Sequence, residues 1–171
     1  MRLRLALVAA LLGLTGCGYH AVGAATHLPA DTRTLAVPIF QSKVQAYRTE
    51  TVFTEAVVRE LNTRTKYRVL NTSGAGADAV LRGTITGQTI VPLTYDPSSG
   101  QTSSYLVTVT AQVVMTAHDG RVLYRNDAFA WRQQYQSTQD LSGFIQEDGF
   151  AVKRMAREFA EAVVSDVLES F

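Results

Sequence analysis

The sequence has 171 residues, of which 16 are Lys or Arg and 15 are Asp or Glu, and hydrophobic residues make up 46% of it. A chain of this size and apolar content can bury one hydrophobic core. Its net charge of +1 lacks the strong basic excess that is typical of nucleic-acid-binding proteins. Contact with an acidic ligand would therefore need a local cluster of basic side chains.

The N-terminal residues follow the order of an export signal. A basic head with two arginines precedes an apolar run over residues 5–14, and two small residues then precede Cys17. The run is too short for a permanent transmembrane helix. Residues 14–17, Leu-Thr-Gly-Cys, resemble the lipobox of bacterial lipoproteins, in which the cysteine receives diacylglycerol and becomes the new N-terminus. We predict a signal peptide over residues 1–16 and lipidation of Cys17. The alternative is that the signal peptide is cleaved at another position and that Cys17 has no role in export.

The lone cysteine agrees with lipidation. Because it is the only one in the chain, it cannot form an internal disulfide. Two or more acyl chains anchor a protein stably in a membrane. By resemblance to enterobacterial sorting signals, Gly18 in place of an aspartate favours the outer membrane. We expect residues 17–32 to form a lipidated tether and residues 33–171 to form a single domain.

The first half of this domain reads as strand, helix and strand. Residues 33–40 are rich in β-forming residues, and Pro38 indicates an edge position or an early end because it cannot donate a ladder hydrogen bond. Residues 48–63 place apolar side chains at helical spacing. A short strand at 67–70 and a loop at 71–77 follow.

The second half reads as three long strands and a helix. Residues 79–94 are rich in β-forming residues but contain Gly83, Gly87 and Pro92, which predicts a strand that is bent or bulged. Residues 105–116 alternate between apolar and polar, which predicts a half-buried antiparallel strand. The remaining elements are turns at 96–100 and 119–120, a partner strand at 122–135 and a final helix from 149 or 150 to 169. The apolar residues of this helix, from Val152 to Val167, form one stripe that predicts core packing.

This order predicts an α+β fold. We expect a two-layer sandwich with a mostly antiparallel sheet of four to five strands and two helices packed on one face.

The sequence carries little that indicates catalysis. His20, His27 and His118 have no partner at metal-ligand spacing, and neither a nucleophile elbow nor a phosphate-binding loop is present. We therefore predict a protein that is not an enzyme, has no metal site and carries no cofactor beyond the lipid on Cys17. Three groups of basic residues could bind phosphate oxygens, although such groups more often form solvated surface. The first group is Arg64, Lys66 and Arg68, the second is Arg121, Arg125 and Arg132, and the third is Lys153, Arg154 and Arg157.

The order of several short motifs along the chain resembles the LptE family of lipopolysaccharide-assembly lipoproteins. These motifs are Cys17-Gly18-Tyr19-His20, Pro29, Leu35-Ala36-Val37-Pro38-Ile39-Phe40, Thr54-Glu55-Ala56, Arg59-Glu60-Leu61, and the segment 100–114 with its alternating strand from Tyr105. The resemblance covers essentially the whole mature chain.

The resemblance implies a role and a partner. Family members sit as a plug in the lumen of the outer-membrane β-barrel LptD, help it to fold, and assist lipopolysaccharide delivery to the cell surface. Lipopolysaccharide is a second candidate partner, with its binding residues unassigned because the hairpin turn at 96–100 carries no basic residue. The alternative is an outer-membrane lipoprotein that regulates a periplasmic cell-wall synthase. A tether over 17–32 spans at most ~50 Å, which is short for that task.

Overall fold

The part of the chain described by the computed structural model begins at Leu28. It comprises residues 28–29, 31–44, 49–71, 74–97, 100, 102–136 and 149–169. The signal peptide over 1–16, the lipidation site Cys17 and most of the tether over 17–32 lie outside the described residues and remain predictions.

Six strands and two helices make up this part of the chain. The strands are β1 (Thr34–Ala36), β2 (Gln41–Ser42), β3 (Arg68–Leu70), β4 (Ala79–Tyr95), β5 (Thr102–Ala117) and β6 (Val122–Gln136). The helices are α1 (Thr49–Arg64) and α2 (Gly149–Glu169). The strands form one sheet in the order β3-β1-β4-β5-β6, and β2 also pairs with β4. The predicted α+β class with two helices is confirmed.

The expected sheet of four to five mostly antiparallel strands is wrong, because the sheet is mixed and has six strands. Strands β4, β5 and β6 are antiparallel, whereas β1 pairs in parallel with both β3 and β4. The parallel pair β1–β3 follows from the helix between them, since a crossover helix returns the chain in the same direction. The strand expected at 33–40 ends at Ala36, before Pro38, so the expected early end is confirmed; β2 follows beyond this segment and also pairs with β4 in parallel.

One core lies between the sheet and the helices, which pack side by side. The alternation of β5 is confirmed: Val107, Val109, Ala111, Val113 and Met115 are buried, and the polar residues between them are only half-buried. The apolar stripes of both helices are also confirmed as core, except for Val52 and Val152, which are half-buried. Among the described helices, none is both long and apolar enough to cross a membrane.

Phe159 of α2 lies at the centre of this core and is fully buried. Its ring stacks on Phe53 of α1 at a centroid distance of 4.8 Å. It also meets the rings of Phe129 and Trp131 of β6 edge-on at 5.7 and 6.4 Å. A single side chain therefore joins both helices to the last strand.

The glycines of β4 have two different roles. The strand is irregular next to Gly87 and again after Pro92, so the bulges expected there are confirmed. At Gly83 the pairing with β5 is regular. A Cβ atom on Gly83 would lie 2.5 Å from the Phe40 ring, so the glycine allows that ring to pack directly against the strand.

Candidate interaction surface

The face of β4 and β5 that points away from the helices is uncovered along its middle in the described part of the chain, whereas the start of β4 is covered on this side, where Ala36, Ala77 and Val80 form a small buried cluster. We call the uncovered part the open face and define it by Thr84, Thr89, Thr108, Thr110 and Gln112. The ladders place Thr84 opposite Gln112 and Thr89 opposite Thr108, on the side of the sheet opposite to the buried valines of β5. All five side chains are half-buried or exposed. The open face therefore presents hydroxyl and amide groups to any partner.

The basic residues of β6 do not form a single binding site. Arg125 lies opposite Val114 and Arg132 opposite Thr108, which separates the two arginines by roughly 20 Å along the sheet. The Arg125 guanidinium donates to both carboxylate oxygens of Asp127, at 3.0 and 2.9 Å. The basic group at Arg121, Arg125 and Arg132 is therefore dispersed, and Arg121 itself lies 3.8 Å from the Asp119 carboxylate.

The two other basic groups contribute side chains to contacts within the domain. Arg64, at the end of α1, donates to the Ser165 hydroxyl at 2.6 Å and to the Glu169 carboxylate at 2.8 Å. These bonds join the C-terminal ends of the two helices. Arg154 of α2 lies over the Tyr135 ring, 5.2 Å from its centroid, and so connects α2 to the end of β6.

Polar side chains between the helix layer and β6 stabilise this arrangement. Asp166 of α2 accepts hydrogen bonds from the Tyr124 hydroxyl and, at 2.8 Å, from the Asn126 amide. The Tyr135 hydroxyl donates to the Glu158 carboxylate at 3.0 Å. Burial of the phenol is the main cause that raises its pKa, and this hydrogen bond is the second. The phenol therefore stays protonated and continues to donate at neutral pH.

Asp78 and Thr54 each connect segments that are distant in the chain. The Asp78 carboxylate accepts bonds from the Thr34 hydroxyl at 2.7 Å and from the Arg33 and Thr34 backbone N–H groups at 2.9 and 2.8 Å. These bonds hold the pKa of Asp78 below its usual value, the Thr34 hydroxyl contributing most. Thr54 of α1 is buried and accepts a bond from the Phe40 backbone N–H at 2.9 Å. The sequence signal that could have indicated a buried hydrogen bond at Thr54 is its position as a polar residue within an apolar helical pattern.

The described residues hold no group of three or more His, Cys, Asp or Glu side chains that could bind a metal ion. His118 is exposed beside the turn between β5 and β6, while His20 and His27 lie outside the described residues. Within the described part of the chain, the open face is therefore the candidate site for contact with a partner.

Together these features define a small α+β domain with one helix-covered sheet face and one polar face that is largely uncovered in β4 and β5. A sequence model of the LptE family, described as lipopolysaccharide-assembly, matches residues 32–167. The chain therefore belongs to the LptE family, which confirms the resemblance.

Two solved structures of lipoproteins are similar to this chain at low sequence identity. The solution structure of an uncharacterized lipoprotein B from Nitrosomonas europaea superposes with a TM-score of 0.52 at 12% identity, covering 88% of this chain and 90% of that one. The rare lipoprotein B from Shewanella oneidensis gives a TM-score of 0.47 at 14% identity, over 76% of this chain and 92% of that one. The first likeness supports a shared fold. No curated protein matches the chain significantly.

Proposed function

We propose that this protein is an outer-membrane lipoprotein, anchored through Cys17, that docks as a plug in the lumen of an LptD-like β-barrel. In this role it assists assembly of the barrel and supports transport of lipopolysaccharide to the cell surface. Membership of a lipopolysaccharide-assembly family supports the proposed role in lipopolysaccharide transport. The Leu-Thr-Gly-Cys pattern at residues 14–17 supports the anchor.

The open face is the observation that carries the docking proposal. Large outer-membrane barrels have polar interiors, and a threonine hydroxyl can donate or accept a hydrogen bond according to what faces it. Burying such hydroxyls costs little if they find partners, whereas burying unpaired charges costs far more. A face of threonine and glutamine therefore suits a polar wall, while the apolar side chains of β5 remain in the core.

Affinity purification of the tagged, lipidated protein from detergent-solubilised outer membrane, followed by mass spectrometry, tests the partner. We expect a large β-barrel protein in stoichiometric amount. Thr108→Arg would place a second cation directly beside Arg132, in the middle of the open face, and should lower barrel recovery at least tenfold. Thr63→Arg, on the exposed surface of α1, is the matched control and should leave recovery unchanged.

Equal barrel recovery with Thr108→Arg and Thr63→Arg would contradict docking through the open face. Recovery of a cell-wall synthase in place of a barrel would favour the alternative function.

The anchor is tested separately. Cys17→Ser should abolish both the acyl-dependent mass increase and the association with membranes, because the acylated sulfur atom is missing. An acyl-modified mass in the Cys17→Ser protein would refute lipidation at this position.

A further inference from the structure

The last strand of the sheet has one free edge. β6 is 15 residues long and stands at the end of the strand order, and in the described part of the chain only β5 pairs with it. A free edge presents unpaired backbone N–H and C=O groups, on which another strand can pair. Because proteins protect such edges with charges and bulges, the residues along β6 determine where a partner strand can add.

A bulge interrupts the first half of β6. The pairing with β5 shifts here, and Asp127 and Ala128 both lie opposite Gln112. The Ala128 backbone N–H donates to the Asn126 side-chain oxygen at 3.1 Å. The bulge therefore satisfies its additional N–H group within the strand, and a partner strand need not supply an acceptor for it.

The second half of the edge, residues 130–136, has neither a bulge nor a proline. Its exposed side chains are Ala130, Arg132 and three glutamines, so Arg132 is the one charged residue in this half. The described part of the chain offers Arg132 no ion-pair partner, whereas Arg125 is paired with Asp127 at 2.9 Å. This half can therefore accept a partner strand, and Arg132 calls for an acidic group on that strand.

We infer that β6 is a self-association surface, on which a second copy of this chain pairs through its own β6, antiparallel, about a two-fold axis at Ala130. In this register Ala130 faces Ala130 of the second copy. Two residues further along, Arg132 lies opposite the bulge of the second copy and therefore beside its Asp127. The axis repeats this contact, so each copy supplies one arginine and one aspartate.

The bulge is the feature that makes this charge match possible. Arg132 lies opposite Thr108, on the side of the open face, and Asp127 lies on that same side because its carboxylate binds the Arg125 guanidinium two residues away. Without the additional residue at the bulge, positions 127 and 132 would point to opposite sides of the sheet.

Charge complementarity also selects this register among the possible self-pairings. An axis at Arg132 would set two arginines directly opposite each other, which is destabilising. An axis at Ala130 places the smallest exposed side chain of this half at the closest contact between the copies. Self-association of this kind does not depend on the proposed plug function, because no barrel takes part in it. A contact of one strand from each copy is small, so we expect a reversible dimer.

Disulfide trapping in the purified, lipidated protein, in detergent and free of any barrel, tests the register. Ala130→Cys places two thiols at the axis, where the paired Cα atoms would be about 4.5–5.5 Å apart, within the range of a disulfide. Gln136→Cys, exposed on the same strand, is the matched control, because its two copies would lie roughly 40 Å apart. The protein without an added cysteine measures any background from Cys17.

After mild oxidation, we expect at least tenfold more disulfide-linked dimer from Ala130→Cys than from Gln136→Cys on a non-reducing gel. Equal yields from the two variants, or no dimer from Ala130→Cys, would overturn the inference. The latter result would mean that the bulge and the charges keep this edge unpaired.

A charge exchange in the Ala130→Cys protein tests the ion pairs. Arg132→Asp should lower the dimer yield at least threefold, because two carboxylates would then face each other on each side of the axis. Adding Asp127→Arg should restore the yield to within twofold. Both positions are exposed, so an unchanged Tm would separate lost pairing from lost folding. An unchanged yield with Arg132→Asp, or a loss that Asp127→Arg does not restore, would refute this register.

Discussion

Removal of the Phe159 side chain should cause the largest loss of stability among single core substitutions in α2. The residue is fully buried and its ring contacts three other aromatic rings, on α1 and on β6. Truncating a buried Phe to Ala costs about 3–5 kcal/mol, because apolar burial is lost and a cavity remains. Since aromatic pairs add about 0.5–1.5 kcal/mol each beyond burial, we expect Phe159→Ala at the upper end, about 4–5 kcal/mol.

Urea unfolding followed by circular dichroism measures this loss. A domain of this kind has about 5–15 kcal/mol of stability, so Phe159→Ala brings it close to unfolding. Phe159→Leu keeps most of the apolar volume and should cost about 2 kcal/mol, mainly through the lost ring contacts.

Glu161→Ala, on the exposed side of the same helix, is the control. It removes only a surface ion pair with Arg157 at 3.9 Å, which should change the free energy of unfolding by less than about 0.5 kcal/mol. A loss below about 1 kcal/mol in Phe159→Ala would refute the placement of this side chain at the junction of both layers.

Three further predictions concern contacts between distant segments. Thr54→Val should destabilise the fold by about 1–3 kcal/mol in urea unfolding, because the Phe40 N–H loses its acceptor, while Thr54→Ser should retain most of the stability. Gly83→Ala should cost about 1–3 kcal/mol through collision with the Phe40 ring, and Phe40→Leu should recover part of this loss; additive losses would argue against the collision. The pKa of Asp78 is lowered, chiefly by the Thr34 hydroxyl, so its stabilising contribution is complete above the unfolded-state pKa of about 3.9 and is lost as the pH falls through the folded-state value. Asp78→Asn should therefore reduce the acid sensitivity measured by unfolding between about pH 5 and 2, and an unchanged pH profile would contradict this role.

Local periodicity in the sequence was sufficient to predict the central elements. The alternation along β5 and the apolar stripe of α2 each repeat with the period of one secondary structure, and burial follows that period directly. The order of short motifs was likewise sufficient to indicate the LptE family, which the match over residues 32–167 confirms.

Only the tertiary structure decided which segments meet. Strand direction depends on pairing partners far apart in the chain, so the parallel pairs of β1 could not be obtained from its three residues. The packing of Gly83 under Phe40 and the bonds from Asp78 to Thr34 also join segments that local patterns do not relate. Periodicity thus determined which side chains are buried, and long-range pairing determined which surfaces remain open to a partner.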